Sequence, residues 1–201
     1  PSFPIHIYAP VIAGANVIGV SMRDGEEALL RRIDDMCRTV SPKPKIVILN
    51  YPHNPTTATV ELPFFEEAVK LAKKHGFYII QDFAYGLTNF DDYKAPSLLQ
   101  AKGAKEVGVE TFTMSKGFNM AGWRVGFVVG NPDMIKLLGA IKGYYDYGIF
   151  QAIQIATVIA LRECEDEMFA QAAIYQARRD CLVDGLVRSG WTVDPCRATM
   201  F

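Results

Sequence analysis

The chain has 201 residues, half of them hydrophobic, and 21 basic against 22 acidic side chains give it a formal charge of −1. That is enough for one large domain, or one and a fraction, with a substantial buried core, as in a soluble globular protein. The two charge signs are interspersed, so nothing favours a polyanion such as nucleic acid or an anionic membrane surface, and no apolar run reaches spanning length.

Cys37, Cys164, Cys181 and Cys196 form no C-x-x-C pair and have no histidine at metal-ligand spacing. Buried, reduced thiols in a cytosolic protein are the expectation, with neither a disulfide nor a metal site. The chain opens on Pro1 without an initiator Met or a signal-peptide pattern and closes on a strand-like run, Ala198 to Phe201, with no partner after it. It reads as an internal piece of a longer protein.

Taken in order, Pro4 to Ala13 reads as a short helix ended by Gly14, and Asn16 to Met22 as a β-branched strand. A helix starts at Asp24. Leu29, Leu30, Ile33, Met36, Cys37 and Val40 recur at three- and four-residue steps along it, a face that must pack on a sheet. Two prolines between Ser41 and Lys45 break it. Ile46 to Asn50 is a continuous apolar run, as a parallel strand covered on both faces requires, and it feeds the turn Tyr51 to Thr56. Leu62 to His75 is a helix with Leu62, Phe65, Val69 and Ala72 on one face, Pro63 near its start and Gly76 just past its end. Phe77 to Ile80 is a further buried strand, followed by Gln81 to Gly86. Lys105 to Met114 and Arg124 to Gly130 complete the strands. Asn131 caps and Pro132 begins a helix carrying Ile135, Leu138 and Ile141, which Gly143 to Gly148 interrupts with Tyr144, Tyr145 and Tyr147, a cluster suited to interface packing. Gln151 to Leu161 reads as a buried apolar helix. Glu165 to Ser189 reads as a long amphipathic helix with Met168, Ala172, Tyr175, Leu182 and Leu186 on one face, roughly 37 Å at 1.5 Å per residue and able to bridge two domains. Gly190 ends it, and Trp191 to Val193 and Thr199 to Phe201 would open a second domain. No internal repeat or low-complexity tract is present.

This alternation predicts an α/β fold, a mostly parallel sheet sandwiched by helices, over residues 1–162. Residues 163–201 would be an interdomain helix and the start of a small C-terminal α+β domain. In such sheets the site gathers outside the carboxyl ends of the strands. Asn54, Asp82 and Lys116 all fall just past such ends. Singly, Asn54 could be an Asx-turn residue before Pro55, Asp82 a cap and Tyr85 a core aromatic; at three successive strand ends together they point to chemistry. Lys116 follows the apolar run Val109 to Met114 and precedes a glycine turn, a position where an amine can lose solvation and act as a nucleophile. Thr113, Ser115 and Arg124 offer two hydroxyls and a guanidinium for a phosphate beside it. A phosphate-bearing aldehyde would suit that set. His53 and His75 have no partner at a telling spacing. No G-x-G-x-x-G follows a strand and no G-K-[ST] loop exists, which disfavours a plain nucleotide-binding domain.

The motifs N-P-T at Asn54 to Thr56, D-x-A-Y at Asp82 to Tyr85 and S-K-x-x-x-M-x-G-W-R-x-G at Ser115 to Gly126 resemble, in order and spacing, the class I pyridoxal-phosphate aminotransferases of fold type I. Within that family Pro1 to Tyr8, Lys94 to Ser97 and Asn119 to Arg124 look most similar to bacterial alanine (glutamate-pyruvate) aminotransferase-like members. The resemblance implies pyridoxal 5′-phosphate as cofactor, with Lys116 as covalent attachment point and proton carrier, and Asp82 as the carboxylate that keeps the ring nitrogen protonated. It further implies Asn54 and Tyr85 at the ring hydroxyl, and Thr113, Ser115 and Arg124 at the phosphate. Amino acid and 2-oxo acid substrates, a homodimer and a cytoplasmic location follow from the same likeness, as does an approach of the Tyr144 to Tyr147 cluster to a neighbouring subunit's site. A lyase releasing pyruvate and ammonia, or an aminotransferase-like sensor domain of a transcription regulator, are the alternatives on the same scaffold. One departure is Thr57, where many relatives have glycine, so the turn should avoid positive φ there. In the family the glycine-rich phosphate contact and the ring-stacking aromatic lie upstream, and the arginine for the substrate carboxylate downstream. These residues alone are thus expected to fold around the sheet without turning over substrate.

Overall fold

A computed structural model describes residues 1–201. Four strands form one sheet in the order of the chain: β1 (Ile46–Asn50), β2 (Tyr78–Asp82), β3 (Gly108–Thr113) and β4 (Gly126–Gly130). The first three are parallel, with Asn50 opposite Asp82 and Asp82 opposite Thr111. β4 returns antiparallel to β3, pairing Gly126 with Thr113. Its closeness requires glycine, since a Cβ at Gly126 would stand 2.5 Å from the Phe112 carbonyl oxygen. The α/β, mostly parallel architecture is thus the one the pattern implies.

The core forms where two amphipathic helices, α2 (Glu26–Thr39) and α3 (Leu62–His75), lie against the sheet. Leu29, Ile33 and Cys37 of α2 and Phe65, Ala68, Val69 and Ala72 of α3 are buried with Leu49 of β1 and Ile79 of β2. Each such large apolar side chain contributes roughly 1.5–3 kcal/mol. Pro63 stands at the start of α3 and Gly76 ends it in the left-handed region at φ 75. Asp34 on α2 binds the C-terminal end of α3, with Lys74 Nζ and His75 Nε2 each 2.6 Å from its Oδ1. His75 therefore has a partner that sequence spacing did not show. A smaller cluster, Met114, Val125 and Ala160 with Phe112, Phe127 and Ile153, ties the end of β3 to a later helix.

The remaining helices are α1 (Ile5–Ile12), α4 (Ala104–Val107), α5 (Met114–Gly117), α6 (Pro132–Tyr145), α7 (Gln151–Glu163) and α8 (Glu165–Arg188). Asn131 caps α6 by accepting from Met134 N at 3.0 Å. None of the helices is long and apolar enough to cross a membrane.

Several expectations are corrected. Asn16 to Met22 forms no strand, because no other strand lies beside it to supply the ladder bonds a strand needs. Residues 104–107 are the helix α4, so β3 begins at Gly108, and β2 is displaced to Tyr78–Asp82. α7 is not a buried helix, since only Thr157 and Ala160 are buried and Ile155, Val158, Ile159 and Leu161 are exposed. On α8 the buried residues are Met168 and Arg179, while Leu182 faces solvent. Neither Trp191 to Val193 nor Thr199 to Phe201 is a strand; Ala198 makes one antiparallel bridge with Asn89. Of the cysteines only Cys37 is buried, Cys181 is exposed, and all four are unpaired.

Thr57 also departs from expectation, in that it adopts positive φ, 61°, and its N–H bonds the His53 carbonyl at 2.9 Å. A β-branched residue in that region is strained. Thr57→Gly should raise stability by about 0.5–1 kcal/mol, strain relief outweighing the extra entropy of the unfolded chain. Chemical denaturation of the two proteins under the same conditions checks this; an unchanged or lower midpoint contradicts it.

Candidate active site

The register of β1, β2 and β3 brings their carboxyl ends to one edge, and each end carries a polar side chain there. Asp82 is the last residue of β2. Its Oδ2 lies 2.8 Å from His6 Nε2, and Thr111 Oγ1 reaches its Oδ1 at 3.4 Å. A carboxylate oxygen accepts, so His6 donates through Nε2. His6 was not among the candidate site residues, and it lies 76 positions from Asp82. Phe3, one turn before it on the approach to α1, stands edge-on to the His6 ring at 5.7 Å. The Phe3 ring thus packs on the imidazole that holds the carboxylate.

Asn54 reaches this edge through Asn50, another residue the sequence did not mark. The buried Asn50 side chain donates to the Asp82 carbonyl at 2.8 Å and accepts from Asn54 N at 3.0 Å. Both its donor and its acceptor are satisfied by backbone, so the ends of β1 and β2 are locked together from inside. Asn54 Nδ2 then points to the Tyr85 hydroxyl at 3.5 Å. Burial raises the pKa of the Tyr85 phenol above its ordinary value, the Asp82 charge adds to this, and the hydrogen bond from Asn54 opposes it. The Lys116 ammonium sits over the Tyr85 ring, 5.7 Å from its centre. Asn54, Asp82, Tyr85 and Lys116 are thus one cluster.

The other three expected residues sit at the junction of β3 and β4. Thr113 Oγ1 donates to Ser115 Oγ at 2.8 Å and accepts from Ser115 N at 3.1 Å, capping α5, whose third residue is Lys116. Lys116 thus owes its place to a short turn started by Thr113. Met114 N bonds the Val125 carbonyl at 3.2 Å, which brings the start of β4 back to the same edge. Arg124 precedes it in the left-handed region at φ 52, exposed, with its guanidinium donating to the Ala121 carbonyl at 3.0 Å. The structure joins Thr113 to Ser115 directly, while Arg124 is held beside them by backbone and turned onto its own loop.

His53 lies in the loop after β1 but is buried. It is 3 % exposed, and its Nδ1 lies 2.7 Å from Thr56 Oγ1 and accepts from Thr56 N at 3.4 Å. Burial lowers its pKa from the ordinary imidazole range to about 4. No group of three or more His, Cys, Asp or Glu is placed to hold a metal ion.

An amine, a carboxylate backed by an imidazole, a phenol and amide pair, and two hydroxyls beside an arginine make a donor set that suits a phosphorylated pyridine aldehyde. The sequence model of the aminotransferase class I and II family matches residues 1–201, and the chain belongs to that family. The family depends on pyridoxal phosphate. The chain is 45% identical over 201 residues to the glutamate-pyruvate aminotransferase AlaC of Escherichia coli, covering 100% of this chain and 48% of that protein. It is 40% identical over 201 residues to LL-diaminopimelate aminotransferase of Gloeobacter violaceus, covering 100% of this chain and 51% of that protein. Among solved structures it resembles a probable N-succinyldiaminopimelate aminotransferase from Thermus thermophilus, with 32% identity and a TM-score of 0.87 over 99% of this chain and 53% of that one. The chain spans about half the length of the curated relatives it matches.

The buried His53 generates a pH prediction. The unfolded chain takes up a proton near pH 6.5, whereas the folded chain does so near 4. The stability that neutral His53 contributes is complete above pH 6.5 and is lost as pH falls toward 4, by up to about 3 kcal/mol. His53→Asn should flatten the decline of the urea midpoint across that window. An equal decline in both proteins would show that His53 is not the group responsible.

Proposed function

We propose that the protein containing this chain is a pyridoxal-phosphate aminotransferase that moves an amino group between an amino acid of the alanine or aspartate class and a 2-oxo acid such as 2-oxoglutarate. The observation that carries this is the meeting of Asn54, Asp82, Tyr85 and Lys116 at one edge of the sheet in a chain that matches the family from end to end. When bound, pyridoxal phosphate supplies an electron sink for the bond broken at the substrate Cα.

This chain's residues would divide the remaining work. Lys116 Nζ would hold the cofactor covalently and, when not so engaged, would carry the proton lost from the substrate Cα to the cofactor carbon. Asp82 would meet the ring nitrogen and hold it protonated, with His6 fixing the carboxylate by its hydrogen bond. Asn54 and Tyr85 would meet the ring hydroxyl and tune its basicity. Thr113, Ser115 and Arg124 bind the phosphate. For Arg124 that requires the guanidinium to exchange the Ala121 carbonyl for phosphate oxygens, a stronger charge-assisted pairing.

The wider organisation follows the same reading. Residues 1–162 belong to the cofactor-binding large domain, and residues 163–201 form the interdomain helix and the beginning of a second domain. A homodimer is supported by the aromatic group after α6, where Tyr144, Tyr145 and Tyr147 are 89%, 87% and 91% exposed and Phe150 is also exposed. Such a patch on a protein surface calls for a partner. A cytoplasmic location fits the four unpaired cysteines.

The full-length protein should form glutamate from 2-oxoglutarate when supplied with alanine, aspartate or diaminopimelate. Absence of product with every amino donor would reject the reading. Lys116→Ala should lower turnover by about a hundred- to ten-thousandfold or more while leaving the circular dichroism spectrum unchanged. Near-normal turnover would reject the assignment. Asp82→Asn should lose more activity than cofactor affinity, because an amide still meets the ring but cannot hold its nitrogen positive. Equal losses in kcat and in cofactor Kd would reduce Asp82 to a positioning role.

A further inference from the structure

The loop that carries Asp82 and Tyr85 continues to Asp91, and its far side is held by a strap from the other end of the chain. Phe90 N bonds the Arg197 carbonyl and Thr199 N bonds the Thr88 carbonyl, each at 2.9 Å. Ala198 and Thr199 are fully buried there, and Thr199 takes a positive φ of 82° to make the turn. Two arginines pin the strap. Arg179, buried on α8, donates to Asp91 Oδ2 at 3.0 Å and to the Cys196 carbonyl at 2.7 Å, joining helix, loop and strap through one guanidinium. Arg197 stacks over the Tyr93 ring at 4.0 Å and reaches Glu61 at 2.6 Å.

The strap delivers Phe201 onto Tyr85, with ring centres 5.6 Å apart and an edge-to-face angle of 65°. The buried Tyr85 thus meets Asn54 at its hydroxyl, the Lys116 ammonium over its ring, and Phe201 at its edge. The first is a long contact and the second moves with a flexible side chain. Phe201 approaches on a backbone clamped by the bonds of residues 197–199. Edge-to-face pairs of this kind are directional, so the contact sets the tilt of the phenol as well as its place.

We propose that Phe201 is a positioning residue for Tyr85, fixing the phenol so that its hydroxyl meets the cofactor's ring oxygen. The inference rests on the cofactor reading above. A donated hydrogen bond lowers the basicity of the oxygen that receives it, so loosening the phenol raises the pH at which the bound cofactor changes its absorbance. Phe201 is half exposed, so its removal leaves no buried cavity.

The test is a pH titration of cofactor absorbance in the full-length holoenzyme, with the cofactor dissociation constant measured alongside. Tyr85→Phe and Phe201→Ala should each raise the midpoint, by about half to one pH unit, the size of one hydrogen bond. The double variant should show no more than Tyr85→Phe alone, and Phe201→Tyr, which keeps a ring there, should restore the wild-type midpoint. A shift in Tyr85→Phe with none in Phe201→Ala, or with full additivity, overturns the positioning role and leaves the cofactor reading intact. No shift in Tyr85→Phe, or no cofactor band in the wild type, overturns both.

Discussion

The parallel pairing of Asn50 with Asp82 and of Asp82 with Thr111 is the constraint on which the rest of the site depends. Parallel strands in register end together, and three strands ending together present their following residues to one strip of space. A slip of one position would turn every side chain of the displaced strand to the opposite face. Asp82 would then leave the edge, and Leu49 and Ile79 would leave the core they share with α2 and α3. The apolar packing and the polar cluster are thus specified by the same register, and burial of the core holds the site in place.

Around that edge the side chains are held in two tiers. Lys116, Asp82, Tyr85 and Asn54, which cluster at the edge, are each positioned by contacts with other residues. Asn50 locks two strand ends, His6 holds the carboxylate, Thr113 starts the turn that carries Lys116, and the strap from residues 196–201 closes on the loop from behind. Each supporting contact is short and most are to backbone, which preserves geometry as reacting side chains move. The covalent and proton-transfer chemistry asks for such fixity, because misplacement by about 1 Å costs a hundredfold in rate.

What could be read from the sequence was periodic or local. β1 and α3 end where the pattern placed them, since a continuous apolar run bounded by prolines and a helix between Pro63 and Gly76 mark their own limits. That Asn54, Asp82, Tyr85 and Lys116 would gather at one edge was legible because their motifs lie at strand ends. His6 and Asn50 were not, because each acts through one contact with a residue or backbone group distant in sequence, and a lone His or Asn has no period. Thr57 was misjudged because glycine preference is a statistical rule and the His53 carbonyl compensates one residue's strain. Asn16 to Met22 has strand composition, yet strand structure needs a neighbour, and composition does not supply one. α7 has the apolar content of a buried helix, but content does not tell a core from a surface awaiting a partner.

The central claim is that Lys116 carries the cofactor at this sheet edge. Borohydride reduction of the full-length protein with pyridoxal phosphate, followed by digestion and mass spectrometry of the peptides, tests it most directly. The expected result is one stoichiometric phosphopyridoxyl label, on Lys116, in the peptide that also contains Ser115. A label on another lysine, or none at saturating cofactor, would contradict the account.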